Sequence, residues 1–109
     1  MPTPFNTSFS HLTDSYKVSH AIQYPPGTSK IYSYAESRGG KFPVTILFGL
    51  QYILRSYFEG IVITHNDLQR DDVFFKEHFG SPNIYNRQGW CRILEKHGGR
   101  LPLRICAIP

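Results

Sequence analysis

Little in this sequence commits it to a common catalytic or metal-binding chemistry. Its 109 residues include two cysteines, Cys91 and Cys106, whose spacing suits neither a metal site nor a disulfide framework. Reduced thiols in a cytoplasmic protein are the economical reading. No Gly-x-Gly-x-x-Gly and no Cys-x-x-Cys occurs. The Gly40–Lys41 pair is followed by Phe42, and Ala35 stands where a P-loop's first glycine belongs, which excludes a Walker site. The five histidines, at positions 11, 20, 65, 78 and 97, are dispersed, with no pair at helical spacing for a metal. They read as surface or packing residues, since histidine becomes catalytic only beside a positioned partner. No basic segment followed by an apolar run opens the chain, so no signal peptide is expected. The most apolar stretch, Ile46 to Ile63, is broken by Arg55 and Glu59, which argues against a membrane span. Twelve Lys and Arg against eight Asp and Glu give a net charge of +4, yet no run of five like charges appears. Such a balance favours anionic partners but lacks the clustered stripe of a nucleic-acid binder.

What is present is an ordinary globular composition rich in aromatics, 15% of residues, in a chain long enough for one domain. Thr13 or Asp14 is placed to cap a short helix running towards Gln23, and Pro25–Pro26–Gly27–Thr28 ends it. Residues 29–38 read as a strand, with Tyr32, Tyr34, Glu36 and Arg38 on one face and Ile31, Ser33, Ala35 and Ser37 on the other. After the Gly39–Gly40–Lys41–Phe42–Pro43 loop, Ile46, Leu47, Leu50, Ile53, Leu54, Tyr57 and Phe58 recur at helical spacing up to Gly60. Ile61–Val62–Ile63 is a short β-type run. Thr64 with Asp67 forms a capping box for a helix to about Phe79, with Leu68, Phe75 and Phe79 as a thin core face. Asn86 caps a further helix, in which Trp90, Ile93, Leu94 and His97 share a side, and Gly98–Gly99 stops it. The alternation of Leu101, Leu103, Ile105 and Ala107 predicts a final strand running to Pro109. The expected order is α-β-α-β-α-α-β, an α+β fold. A strand that meets the C-terminus without a cap or polar tail suggests a piece of a longer polypeptide.

The string from Thr13 to Arg38, T-D-S-Y-K-V-S-H-x-x-Q-Y-P-P-G-T-S-K-I-Y-S-Y-x-E-S-R, resembles the opening of nicotinamide phosphoribosyltransferases. So do F-G-L-Q-Y-I-L at 48–54, K-E-H-F at 76–79, G-W-x-x-I-L-E-K at 89–96 and L-P-L-R-I at 101–105. These segments cover nearly the whole chain in the family's order. The resemblance implies an enzyme making nicotinamide mononucleotide and pyrophosphate from nicotinamide and phosphoribosyl pyrophosphate, a step of NAD salvage. It implies a type II phosphoribosyltransferase, a homodimer whose sites lie at the subunit boundary beside an atypical α/β barrel. A barrel alone takes about 250 residues, so this chain is expected to be the small N-terminal domain, over 1–109, without it. Magnesium accompanies the diphosphate in the family, with no ligand expected from this chain, and ATP stimulates turnover through a histidine further along the polypeptide.

Four residues take roles from the resemblance. Tyr16 matches the tyrosine that reaches into the partner subunit's site and stacks on the nicotinamide ring. Asp14 matches an aspartate at the mouth of that pocket. Arg38 matches an arginine that grips the pyrophosphate of the donor, as suits a guanidinium's paired donors. Lys41 adds a point charge in a glycine loop shorter than the charged insertion many members carry there. Lys17 receives no role. The expected partners are nicotinamide, phosphoribosyl pyrophosphate, a second copy and the remainder of the enzyme, with no nucleic acid and no membrane. The chain alone is expected to be inactive. The alternative is a free-standing module, derived from this fold, that binds a phosphate-bearing ligand or a protein without catalysis.

Overall fold

A computed structural model describes residues 8–108. The polar start over residues 1–7 and Pro109, the last position of the expected final strand, lie outside them. Two 3-10 helices, Phe9–His11 and Ser15–Ile22, are followed by a long extended stretch and then by three helical elements. The first of these, α1, runs over Leu50–Ile53 and widens into a π-helical turn over Leu54–Phe58, where the Glu59 N–H donates to the Leu54 carbonyl. Helix α2 spans His65–Phe79 and α3 spans Arg87–His97.

Local chemistry accounts for the boundaries of α2 and α3. The Asp67 N–H donates to Thr64 Oγ1 at 3.2 Å and the Thr64 N–H donates to Asp67 Oδ2 at 3.0 Å, so aspartate completes the capping box as glutamate would. The Gly89 N–H donates to Asn86 Oδ1 at 3.0 Å at the start of α3. Gly80 and Gly98 end the two helices in the left-handed region, at φ of 65° and 62°.

The core lies between α2 and α3. Ile63, Leu68, Phe75 and Tyr85 are buried, with Val18, Phe79, Trp90, Cys91, Ile93 and Leu94 packed around them. Phe75 stacks on Phe79 and Tyr85 at centroid distances of 5.8 and 5.3 Å. Gly99 locks the segment before α2 onto the end of α3. Its carbonyl accepts from Val62 N–H at 2.9 Å, and a Cβ there would sit 2.4 Å from the Ile63 carbonyl oxygen. At φ +84°, only glycine fits without strain.

Three expectations are corrected here. Among the described residues there is no strand, so the architecture is helical rather than the expected α+β. Residues 29–38 are extended, but both of the expected faces are exposed, with Tyr32 92% accessible, and no ladder partner lies alongside. A strand without a neighbour cannot satisfy its backbone except through water. The same holds for 101–108, where Leu103, Ile105 and Ile108 are exposed, and the Ile61–Ile63 backbone bonds only to the Gly99 carbonyl among the described residues, although the Ile63 side chain is buried in the core. The helix expected from Ile46 begins instead at Leu50, because Gly49 is left-handed at φ 78° and Ile46 and Leu47 have nothing to pack against. The expected helix towards Gln23 is 3-10, not α.

Candidate functional site

The 3-10 geometry of Ser15–Ile22 decides how its side chains are presented. With three residues per turn, side chains at i and i+3 eclipse into three rows. Lys17 and His20 form one row, Val18, Ala21 and Tyr24 another, and Tyr16, Ser19 and Ile22 the third. The first two rows line a groove of about 860 Å³ whose other walls include Phe9 and Leu12, Tyr57 and Phe58 of the π turn, and Trp90 and Ile93 of α3. Among the described residues no Asp or Glu lines it, while Lys17 and His20 do.

Tyr16 belongs to the outward row and is 58% exposed. It is held from its own helix: Ser19 Oγ donates to the Tyr16 carbonyl at 2.5 Å, and Gln23 Nε2 donates to Ser19 Oγ at 3.1 Å. The His20 ring meets the Tyr16 ring edge-on at 5.7 Å, and Lys17 Nζ lies 6.0 Å from its centroid. The phenol is therefore braced at its base and free towards solvent.

Asp14 occupies the N-cap position, but its side chain makes no cap hydrogen bond. Its backbone carbonyl accepts from Lys17 N–H at 3.0 Å, and its carboxylate lies 4.0 Å from Lys17 Nζ. Both side chains are exposed, so this pair adds little stability. Lys17, which the sequence left without a role, is thus the residue that links Asp14 to the groove.

Arg38 and Lys41 sit on the exposed stretch and line no part of the groove. Arg38 makes no hydrogen bond or ion pair among the described residues, and Lys41 Nζ lies 5.8 Å from the Phe42 ring. The structure brings Asp14, Tyr16 and Lys17 together and leaves Arg38 and Lys41 apart from the groove. Among the described residues, no three His, Cys, Asp or Glu side chains converge as a metal site.

Two buried carboxylates were not foreseen. Asp71 and Asp72 fall in the same stripe as Leu68, Phe75 and Phe79, and that spacing was the available signal. Asp72 takes Lys76 Nζ at 2.9 Å and Arg87 Nη1 at 3.2 Å, tying α2 to the start of α3. Asp71 takes Ser10 Oγ at 2.5 Å and lies 3.2 Å from His11 Nε2. Burial, then the charges of Asp71 and Asp72, push the Tyr85 hydroxyl well above its ordinary range.

A family described as "Nicotinamide phosphoribosyltransferase, N-terminal domain" matches residues 8–105. The chain is 46% identical over 97 residues to a nicotinamide phosphoribosyltransferase of Xanthomonas campestris pv. campestris (strain 8004), covering 89% of this chain and 20% of that protein. Against the nicotinamide phosphoribosyltransferase of Mycoplasma pneumoniae (strain ATCC 29342 / M129 / Subtype 1) it is 43% identical over 42 residues, 37% of this chain and 9% of that protein. The chain therefore belongs to the nicotinamide phosphoribosyltransferase family and matches its N-terminal domain. It spans about a fifth of the length of the Xanthomonas relative. No helix among the described residues is long and apolar enough to cross a membrane.

Proposed function

We propose that this chain supplies the N-terminal part of a nicotinamide phosphoribosyltransferase, in which Tyr16 stacks on nicotinamide in a site completed by a second subunit. The observation that carries the reading is the presentation of Tyr16. Within a chain similar to such an enzyme over 89% of its length, this ring points away from its own groove and stands open to solvent. An outward ring braced at its base suits a site across a subunit boundary. A flat, electron-poor pyridine gains from an offset aromatic face, and a tyrosine loses little rotamer entropy in offering one.

The reaction is a displacement at the anomeric carbon. The pyridine nitrogen forms the new bond as the bond to pyrophosphate breaks, and the electron pair leaves with the diphosphate. Tyr16 orients the base. Asp14, at the rim beside it, accepts a hydrogen bond from the amide or from a ribose hydroxyl. Arg38 faces the charge growing on the leaving diphosphate, and Lys41 adds a point charge nearby. Magnesium would accompany the diphosphate and help stabilise the charge it carries away.

A chimera provides the test, with residues 8–105 replacing the matching segment of the Xanthomonas relative. It is expected to make nicotinamide mononucleotide from nicotinamide and phosphoribosyl pyrophosphate, while the isolated chain makes none. Synthesis by the isolated chain, or a folded dimeric chimera without synthesis, would overturn the proposal.

A further inference from the structure

We propose that Asp71 is a positioning residue that clamps the segment carrying Asp14 and Tyr16 onto α2. The inference rests on the Tyr16 reading for its functional meaning, though not for its geometry. Asp71 is 1% exposed, yet it sits mid-helix on the core stripe, where an unpartnered carboxylate is strongly disfavoured. Its partners come from outside the helix. Ser10 Oγ donates to Oδ2 at 2.5 Å, sixty-one residues away in the chain, and His11 Nε2 lies 3.2 Å from Oδ1. The His11 ring is also held between Phe74 and Phe75, at 4.7 and 5.4 Å. The Ser10 bond is directional and fixes register, whereas the His11 ring adds proximity and aromatic packing without a hydrogen bond to Oδ1.

The next residues along the chain give the clamp its consequence. Thr13 continues the groove wall that Phe9 and Leu12 begin, Asp14 follows with the proposed rim carboxylate, and Tyr16 stands five residues beyond His11. The Ser15–Ile22 helix buries none of its residues, so its own packing anchors it weakly. Phe9, next to Ser10, reaches Trp90 at 6.3 Å and Phe58 at 5.7 Å. Ser10 and His11 set where the helix begins, and Asp71 sets where they sit.

Trp90 is the chain's single tryptophan and reports on this docking directly. In the isolated chain, His11→Leu and Asp71→Asn are each expected to raise acrylamide quenching of Trp90 several-fold as the Phe9 segment lifts away. Helical ellipticity, carried by α2 and α3, should stay unchanged. Ser10→Thr, which keeps the hydroxyl, should retain native quenching, whereas Ser10→Ala should not. If Asp71→Asn unfolds, His11→Leu and the Ser10 pair still decide the matter. Unchanged quenching in His11→Leu and Ser10→Ala would overturn the clamp, as would a rise matched by proportional loss of helix. Because Trp90 quenching does not involve nicotinamide, the clamp and the Tyr16 reading can fail separately.

Discussion

Tyr16 and Arg38 divide the proposed work between an aromatic face and a charge, and each makes a separable prediction. In the chimera, Tyr16→Phe should keep the stack and bind nicotinamide nearly as well as the parent. Arg38→Ala should raise the KM for phosphoribosyl pyrophosphate by about tenfold or more while leaving that for nicotinamide near its parent value, since a hydrogen-bonded charge is worth roughly 1.5–3 kcal/mol. Steady-state kinetics with each substrate varied in turn separates the two. The roles proposed for these residues rest only on the extended family resemblance. Nothing in composition or spacing distinguishes Tyr16 from the other six tyrosines, because ring stacking needs no local motif. Asp14 shows the limit of a local rule: it stands at the N-cap, as the sequence suggests, yet its carboxylate turns to Lys17 instead of the helix N–H groups. Asp71 shows the opposite failure, a charged residue on a core stripe whose partners, Ser10 and His11, only the folded chain reveals.

At the scale of elements, the features set by neighbours in sequence were readable and those set by distant partners were not. The capping box at Thr64, the cap at Asn86 and the glycine stops at Gly80 and Gly98 all form as their residues dictate. Alternation at 29–38 and 101–107 predicts strands, but a strand exists only with a partner, and none lies beside them among the described residues. Thr64→Ala should lower stability by about 1 kcal/mol in chemical denaturation. Gly99→Ala should cost more than about 2 kcal/mol, combining a left-handed backbone with a Cβ pressed on the Ile63 carbonyl. Tyr85 adds a pH prediction. Its hydroxyl is raised above the unfolded value of about 10, so its stabilising contribution is complete below that value. That contribution is lost as pH rises towards the folded value, because the unfolded tyrosine ionises first. Denaturation followed across the alkaline range, with Tyr85→Phe as reference, should show that loss in the parent and remove Tyr85's share of it in the variant.

The whole molecule joins a small helical core to a long exposed arm. Ile31, Tyr32, Tyr34, Phe42, Val44, Ile46 and Phe48 are all more than half accessible, an unusual density of apolar surface for a free monomer. The isolated chain should therefore bind a hydrophobic dye or self-associate with rising concentration, which light scattering would show. Family membership rests on a match over nearly the whole chain, while catalysis is proposed for a polypeptide about five times as long. The most direct test of that proposal is the KM for nicotinamide in the chimera carrying Tyr16→Ala. The stacking role predicts a rise of about tenfold, the value of an aromatic pair near 1.4 kcal/mol, with little change in the KM for phosphoribosyl pyrophosphate. An active chimera whose nicotinamide KM is untouched by Tyr16→Ala would contradict it.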